Sequence, residues 1–374
     1  MRKTWAVARK ELRQIARDPL SLIMLIGLPA FMLVLYGFAL NFDVRHVALG
    51  VQDLDGSRAS RDLLSAFVNS TYFDVTAVAE AGDDLERITR TRAAKAVLVI
   101  PRGYGEDLAA GRTAAVQLLL DGTDATTAQT ILGYAGSITA EANSRLLHAA
   151  LSRVGGRAPE PTVYEPRVFY NPELRSTQFL VPGLIGFLLM LTAVLSTAMS
   201  VVREKERGTM EQIRVSPVRT VELILGKATP YLVISLLATA IIILAARVLF
   251  GVAVRGSYLD LLVVTVLYLL GALGFGLLIS TIADTQALAF QIGLLTSLLP
   301  AMLLSGFIFP IRTMPAVLRA LTNLVPARHF LVVLRGIILK GAGLSPYVEQ
   351  IVLLAVFAAA TLALASVRMS RREA

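Results

Sequence analysis

Six stretches of this chain carry no Asp, Glu, Lys or Arg: Leu20–Leu40, Ser176–Val202, Ala228–Ala246, Leu261–Ala283, Thr285–Ile311 and Gln350–Val367. They run from 18 to 27 residues. A bilayer core of roughly 30 Å takes about 20 apolar residues of helix to cross. In hydrocarbon the backbone must satisfy its own hydrogen bonds, so each stretch is expected to be a helix that crosses once. A helix buried in a soluble core explains one such stretch but not six. The composition agrees, with 55% of residues apolar and 17% charged, against about 25% charged in soluble domains. It excludes a disordered chain, which needs low hydrophobicity. The absence of cysteine excludes a disulfide scaffold. The first stretch is too long for the apolar region of a secretory signal and is expected to be a retained first span.

Lysine and arginine set the orientation of such a protein. Residues 1–19 carry Arg2, Lys3, Arg9, Lys10, Arg13 and Arg17, and the 203–227 connection carries Arg203, Lys205, Arg207, Arg214, Arg219 and Lys227. The tail adds Arg368, Arg371 and Arg372. Six spans place all three on one side, so both termini are expected in the cytoplasm. Arg312, Arg319, Arg328, Arg335 and Lys340 count the other way, but they are spread among apolar residues. The formal charge of +9 is thus assigned to orientation, and no nucleic-acid partner is expected.

Residues 2–17 read as a basic amphipathic helix, with Trp5, Ala8, Leu12 and Ile15 opposite Lys10, Arg13 and Arg17. It is expected either to lie in the headgroup layer or to be a charged flank that sets topology. Residues 41–175 read as a small α/β domain on the outer face. Strands are predicted around Val47–Val51, Tyr72–Val78, Ala96–Ile100 and Val116–Leu120, with helices between them and a long one over Thr123–Leu151. Asp53 and Asp55 form a turn rather than a cation site, and no metal-ligand spacing or catalytic pairing occurs. The connection 310–345, broken by Pro310, Pro315 and Pro326, is expected to be re-entrant or to lie on the surface.

The 203–217 segment is built unusually for a loop. Gly208 is suited to ending a helix in the left-handed conformation. Thr209 to Gln212 has the spacing of a capping box that starts another, and Ser216-Pro217 restarts the chain again. One short helix over 208–217 is expected, with Met210, Ile213 and Arg214 on its face beside Glu211. It is either a docking element or a plain connection.

The stretch E-K-E-R-G-T-M-E-Q-I-R-V-S-P-V (204–218) resembles the cytoplasmic signature of the type-2 family of ABC exporter permeases. N-L-V-P-A-R-H-F-L-V-V-L-R-G-I-I-L-K-G (323–341) resembles the stretch before that family's last span, and D-L-D-G-S-R-A-S-R-D-L (53–63) resembles its outer domain. The resemblance implies an α-helical polytopic membrane protein with six transmembrane helices and an extracytoplasmic α/β domain between the first and second spans. Its parts are a connecting helix (1–19), a first span (20–40), the outer domain (41–175) and a five-span membrane domain (176–374). The last contains a coupling helix (208–217) and an outer re-entrant segment (310–345).

The family role implied is the permease subunit of an ATP-driven exporter of drugs, lipids or similar amphiphiles in a bacterial inner membrane. Glu204, Glu206, Arg207, Gly208, Thr209, Glu211, Gln212, Arg214 and Pro217 would couple it to an ATPase. Partners implied are that cytoplasmic ABC ATPase, a second copy or a homologous permease, membrane lipid and a periplasmic adaptor. No G-x-x-x-x-G-K-[ST] occurs in the chain, so it is expected to bind no cofactor and to be no enzyme, with ATP and Mg held by the partner. Gln178, Thr197, Gln291 and Thr296 are candidates for a cargo path, or else hydrogen bonds between helices. The rival functions are a receptor or scaffold reading an outer signal, and an ATP-independent carrier. An ion-coupled carrier typically keeps ionisable groups within its spans, and these six stretches hold none.

Overall fold

The computed structural model describes residues 2–39, 46–91, 93–123, 125–153, 170–171, 175–210 and 219–373. The chain divides into two units, residues 1–41 with 168–374, and residues 42–167.

The second unit is the α/β domain. Strands β1 (Val47–Asp53), β2 (Phe73–Val78), β3 (Ala96–Ile100) and β4 (Gln117–Leu120) form one sheet in the order β2-β1-β3-β4. Strand β1 is parallel to β2 and β3, and β4 is antiparallel to β3. Parallel neighbours need a crossover, and the helix Arg58–Val68 makes the first one. Ser57 starts it, its hydroxyl accepting from the Ser60 amide. Leu63 and Phe67 of that helix pack with Tyr104, Ile131 and Ile138 onto Leu49, Leu98 and Ile100 of the sheet.

Asp53 fastens the turn after β1. Its carboxylate accepts from the amides of Asp55 and Gly56 and from the Ser60 hydroxyl. The hydroxyl and amide of Thr123 and the Lys95 ammonium pull the Asp121 carboxyl after β4 down to about 2. Its contribution to stability is present above pH 3.8 and fades as pH falls toward 2.

The first unit is helical, with α1 (Arg2–Ala16), α2 (Pro19–Leu22) and α3 (Leu28–Ala39) at its start. A π-helical turn, Ile23–Gly27, joins α2 to α3, with the Leu28 amide bonded to the Ile23 carbonyl. Pro29 has no amide proton to continue the ladder, and the slip by one residue absorbs that loss. Counting the α/β domain's helices as α4 (Arg58–Val68), α5 (Leu85–Arg90), α6 (Tyr104–Ala109) and α7 (Ala125–Arg153), the membrane unit continues with α8 (Ser176–Glu206), α9 (Thr220–Phe250), α10 (Tyr258–Ser280) and α11 (Gln286–Leu303). Then come α12 (Ala316–Leu321), α13 (Pro326–Arg335) and α14 (Val348–Glu373).

Five helices among the described residues are long and apolar enough to cross a membrane, and six if a bent pair is one span. That pair, 316–324 with 326–340, turns through 83°. The first apolar stretch folds as the shorter helices and the π turn described above, so the length criterion met by the other spans is not met there.

Helix α8 is the axis of this unit and is buried along most of its length. It packs closely because small residues face it. A Cβ on Gly276 of α10 would come within 2.1 Å of the Thr197 Oγ1 and 2.4 Å of the Val194 carbonyl oxygen. The Tyr268 hydroxyl donates to the Gly186 carbonyl at 2.9 Å, and its ring stacks on Phe330 at 4.0 Å. Gly276→Ala is therefore expected to lower the thermal unfolding midpoint of the detergent-solubilised chain, by overpacking worth about 1–3 kcal/mol. Gly133→Ala, where nothing lies within 4 Å, is not expected to lower it.

Candidate functional site

The charged end of α8 is the meeting point of the helical unit. Residues Arg203 to Glu206 reach several different elements. The Arg203 guanidinium pairs with Asp18 at 3.0 Å, in the turn before α2, and donates to the Gln286 side chain at 3.3 Å. Lys205 donates to the carbonyls of Ser280 and Ala283, at the end of α10. Glu206 accepts from the backbone amide of Gln286 at 2.6 Å and from its side chain. That carboxylate stands at the first turn of α11, where unpaired amides and the helix dipole favour a negative charge.

Glu204 points inward and is only 4% exposed. Its carboxylate pairs with Lys227 of α9 at 2.7 Å and with Lys10 of α1. Lys227 is itself 1% exposed and pairs with Glu11 of α1 at 3.0 Å. The Ser200 hydroxyl donates to the other Glu11 oxygen at 3.2 Å. Two lysines and two glutamates thus form a neutral cluster that ties α1 to α8 and α9. Burial alone lowers the Lys10 ammonium, but the carboxylates of Glu204 and Glu11 outweigh it and hold the group above 10.5. Its contribution is complete below 10.5 and is lost only as pH climbs through the higher folded value.

This arrangement shows which face of the first helix meets the bundle. The face of α1 turned to the bundle is Ala8, Glu11 and Ile15, while Trp5 is 66% and Leu12 44% exposed. Glu11 sits between two apolar positions at helical spacing, and Lys227 supplies the partner that makes its burial tolerable. Gly226 lets α1 approach, since a Cβ there would lie 2.7 Å from the Val7 Cβ. The signal in the sequence was the single acid on the apolar stripe of a basic helix. Its partners are remote along the chain, which is why the sequence did not reveal them.

Of the other residues singled out for coupling, Arg207 closes α8 with its amide bonded to the Arg203 carbonyl. Gly208 takes the left-handed conformation at φ 69°. The Thr209 hydroxyl turns back to the Glu204 carbonyl at 3.3 Å, and helical backbone resumes at Thr209 and Met210. Glu211, Gln212, Arg214 and Pro217 lie outside the described residues. Met210, expected on the face of the short helix, turns into the bundle instead. It is buried in an apolar cluster with Val201, Leu223, Ile224 and Leu277.

Among the residues suggested for a cargo path, Thr197 is buried in the α8–α10 seam and bonds to the Ala193 and Leu273 carbonyls. Gln178 is half-buried in the first turn of α8, nearly a span's length away. Gln291 and Thr296 are exposed on α11, with the Thr296 hydroxyl donating to Ile292. A cleft of about 80 Å³ lies beside the charged cluster, lined by Leu28, Leu191, Ser196, Arg203, Tyr231 and Phe290 among others. Its walls come from the first apolar stretch, α8, α9 and α11, and no sequence pattern marked it.

Lys227→Met leaves two buried carboxylates without their shared cation and is expected to cost about 3–5 kcal/mol. Lys10, which is half exposed, is expected to cost roughly 0.2–1 kcal/mol on the same change. Thermal unfolding of the two purified variants gives the order.

Comparison with known proteins agrees with this architecture. Residues 19–367 match the model of the ABC-2 family transporter proteins. The chain is 34% identical to the probable multidrug ABC transporter permease YbhS of Escherichia coli (strain K12), over 91% of this chain and 89% of that one. It is 31% identical to the probable multidrug ABC transporter permease YbhR of the same organism, over 91% of each. It is 27% identical to the inner membrane transport permease YhhJ, over 92% of this chain and 90% of that one. With long apolar helices around a buried axis and a family match that runs through all of them, the chain is a multi-pass membrane protein and belongs to the ABC-2 family of transporter proteins.

Proposed function

We propose that this chain is the permease subunit of an ATP-driven exporter that moves hydrophobic or amphiphilic cargo outward across a bacterial inner membrane. The observation that carries the reading is the charged cluster at the end of α8. It joins α1 and the segment leading to 208–217 to the starts or ends of α2, α9, α10 and α11. A push on that surface reaches several spans at once.

In this reading an ABC ATPase docks at the cytoplasmic end, holds ATP and Mg, and acts on α1 and on the 208–217 segment. The α/β domain stands outside, where a periplasmic adaptor would meet it, and the bent segment 316–340 is re-entrant from that side. Both termini are cytoplasmic. Cargo enters near the cleft beside Arg203 and Tyr231. The exposed face of α11, with Gln291 and Thr296 among Leu295 and Leu299, meets a second copy or a homologous permease. Polar side chains on the outside of a span are best satisfied by another helix.

An ATP-independent carrier is less well supported. The ionisable groups buried near the ends of α8 and α9 are neutralised in pairs, so the cluster works as a latch and leaves no single group to ferry a proton. The test is co-purification of the full chain with its ATPase and measurement of cargo-stimulated ATP hydrolysis in proteoliposomes. Glu211→Lys is expected to leave insertion and unfolding unchanged and to abolish both association and stimulation. Undiminished stimulation in that variant overturns the docking assignment.

A further inference from the structure

We propose that the groove between α9 and α10, at the end remote from the charged cluster, binds one acidic phospholipid. The phosphate would lie against Arg247, and an acyl chain along the groove. The groove has a volume of about 280 Å³, near the lower end of ordinary ligand sites. Its walls include Leu236, Ile243, Leu244 and Leu262, together with the exposed residues Arg247 and Tyr258. From Leu236 to Arg247 it covers about 16 Å of helix, close to half of a roughly 30 Å hydrocarbon core. That is the depth of one leaflet.

Three observations point to the occupant. Arg247 is exposed, and among the described residues nothing pairs with its side chain. Side chains on a helix tilt toward its N-terminus, so Arg247 leans back along α9 over the groove. Secondly, Thr265 lines the groove and is only 2% exposed, and its buried hydroxyl has no hydrogen-bond partner among the described residues. A buried donor without an acceptor is costly, and the ester carbonyl below a lipid phosphate is an acceptor. Thirdly, the carboxylate at the start of α10 does not compete. Asp260 does not line the groove, and its Oδ2 lies 3.7 Å from where a Cβ on Gly343 would stand. An anionic head with an apolar chain fits this set of groups. On the orientation proposed above, the lipid belongs to the outer leaflet; the binding itself does not depend on that orientation or on ATP.

The experiment is native mass spectrometry of the delipidated full chain in detergent, titrated with dioleoyl phosphatidylglycerol or dioleoyl phosphatidylcholine. One phosphatidylglycerol per chain is expected, held about tenfold tighter than phosphatidylcholine, the worth of one charge-assisted contact. Arg247→Gln should remove that preference. Thr265→Val, which deletes the hydroxyl at nearly constant shape, should weaken phosphatidylglycerol several-fold while leaving the lipid-free unfolding midpoint no lower. Equal affinity for the two lipids, or an unchanged preference in Arg247→Gln, overturns the site. Should Arg247→Gln not fold, unchanged phosphatidylglycerol affinity in Thr265→Val overturns it instead.

Discussion

An ammonium group sealed from water constrains the membrane unit more than any other single feature. Lys227 lies within a span-length helix and is 1% exposed, and its charge is tolerable because Glu11 and Glu204 meet it at 3.0 and 2.7 Å. Burial of an unpaired charge is prohibitive, whereas a hydrogen-bonded neutral cluster is not. The pairing fixes where the first helix must lie: against α9, with Gly226 giving it room. Such clusters add little to stability compared with apolar side chains of equal volume. Here the cluster specifies one arrangement, which joins α1 to two spans.

The same end of α8 shows how four consecutive charged residues divide their work. Successive positions on a helix point about 100° apart, so Arg203, Glu204, Lys205 and Glu206 face different neighbours. They meet the turn before α2, the α1–α9 cluster, the end of α10 and the start of α11. On the proposed function this fan of contacts is what turns a push from an ATPase into a concerted movement of spans. It also explains why short-range features around 208–217 accompany it: Gly208 ends α8, and Met210 anchors the chain beyond that break in an apolar pocket.

Much of this was legible in the sequence. The strands of the α/β domain fall where alternation and turn residues place them, because Ser57, Asp53 and the Asp121-Gly122 pair act over two to seven residues. The apolar stretches announced the long helices for an equally local reason. What the sequence did not show is long-range. Lys227 reads as a charge that sets orientation and Glu204 as a coupling residue, and neither reading names their partners on the first helix. Trp5 and Leu12 share the apolar stripe of α1, yet the bundle uses the side carrying Glu11. Thr197 looked like a polar group in a span, and its role in the α8–α10 seam depends on the missing side chain of Gly276. The four residues suggested for a cargo path are not gathered in one place, since a neutral polar residue in a helix does not encode which neighbour it faces.

On the proposed function, the α1–α9 ion pair carries the coupling between α1 and the spans. Charge exchange tests this, with cargo-stimulated ATP hydrolysis measured for the reconstituted complex carrying Glu11→Lys, Lys227→Glu, or the exchange of all four charges, Lys10→Glu, Glu11→Lys, Glu204→Lys and Lys227→Glu. Each single change places like charges in a buried cluster and should abolish stimulation. The exchange of all four restores opposite charges at every contact of the cluster and should recover a substantial part of it. Full stimulation in either single variant would overturn the coupling role of the ion pair, as would a fully exchanged variant no better than the singles.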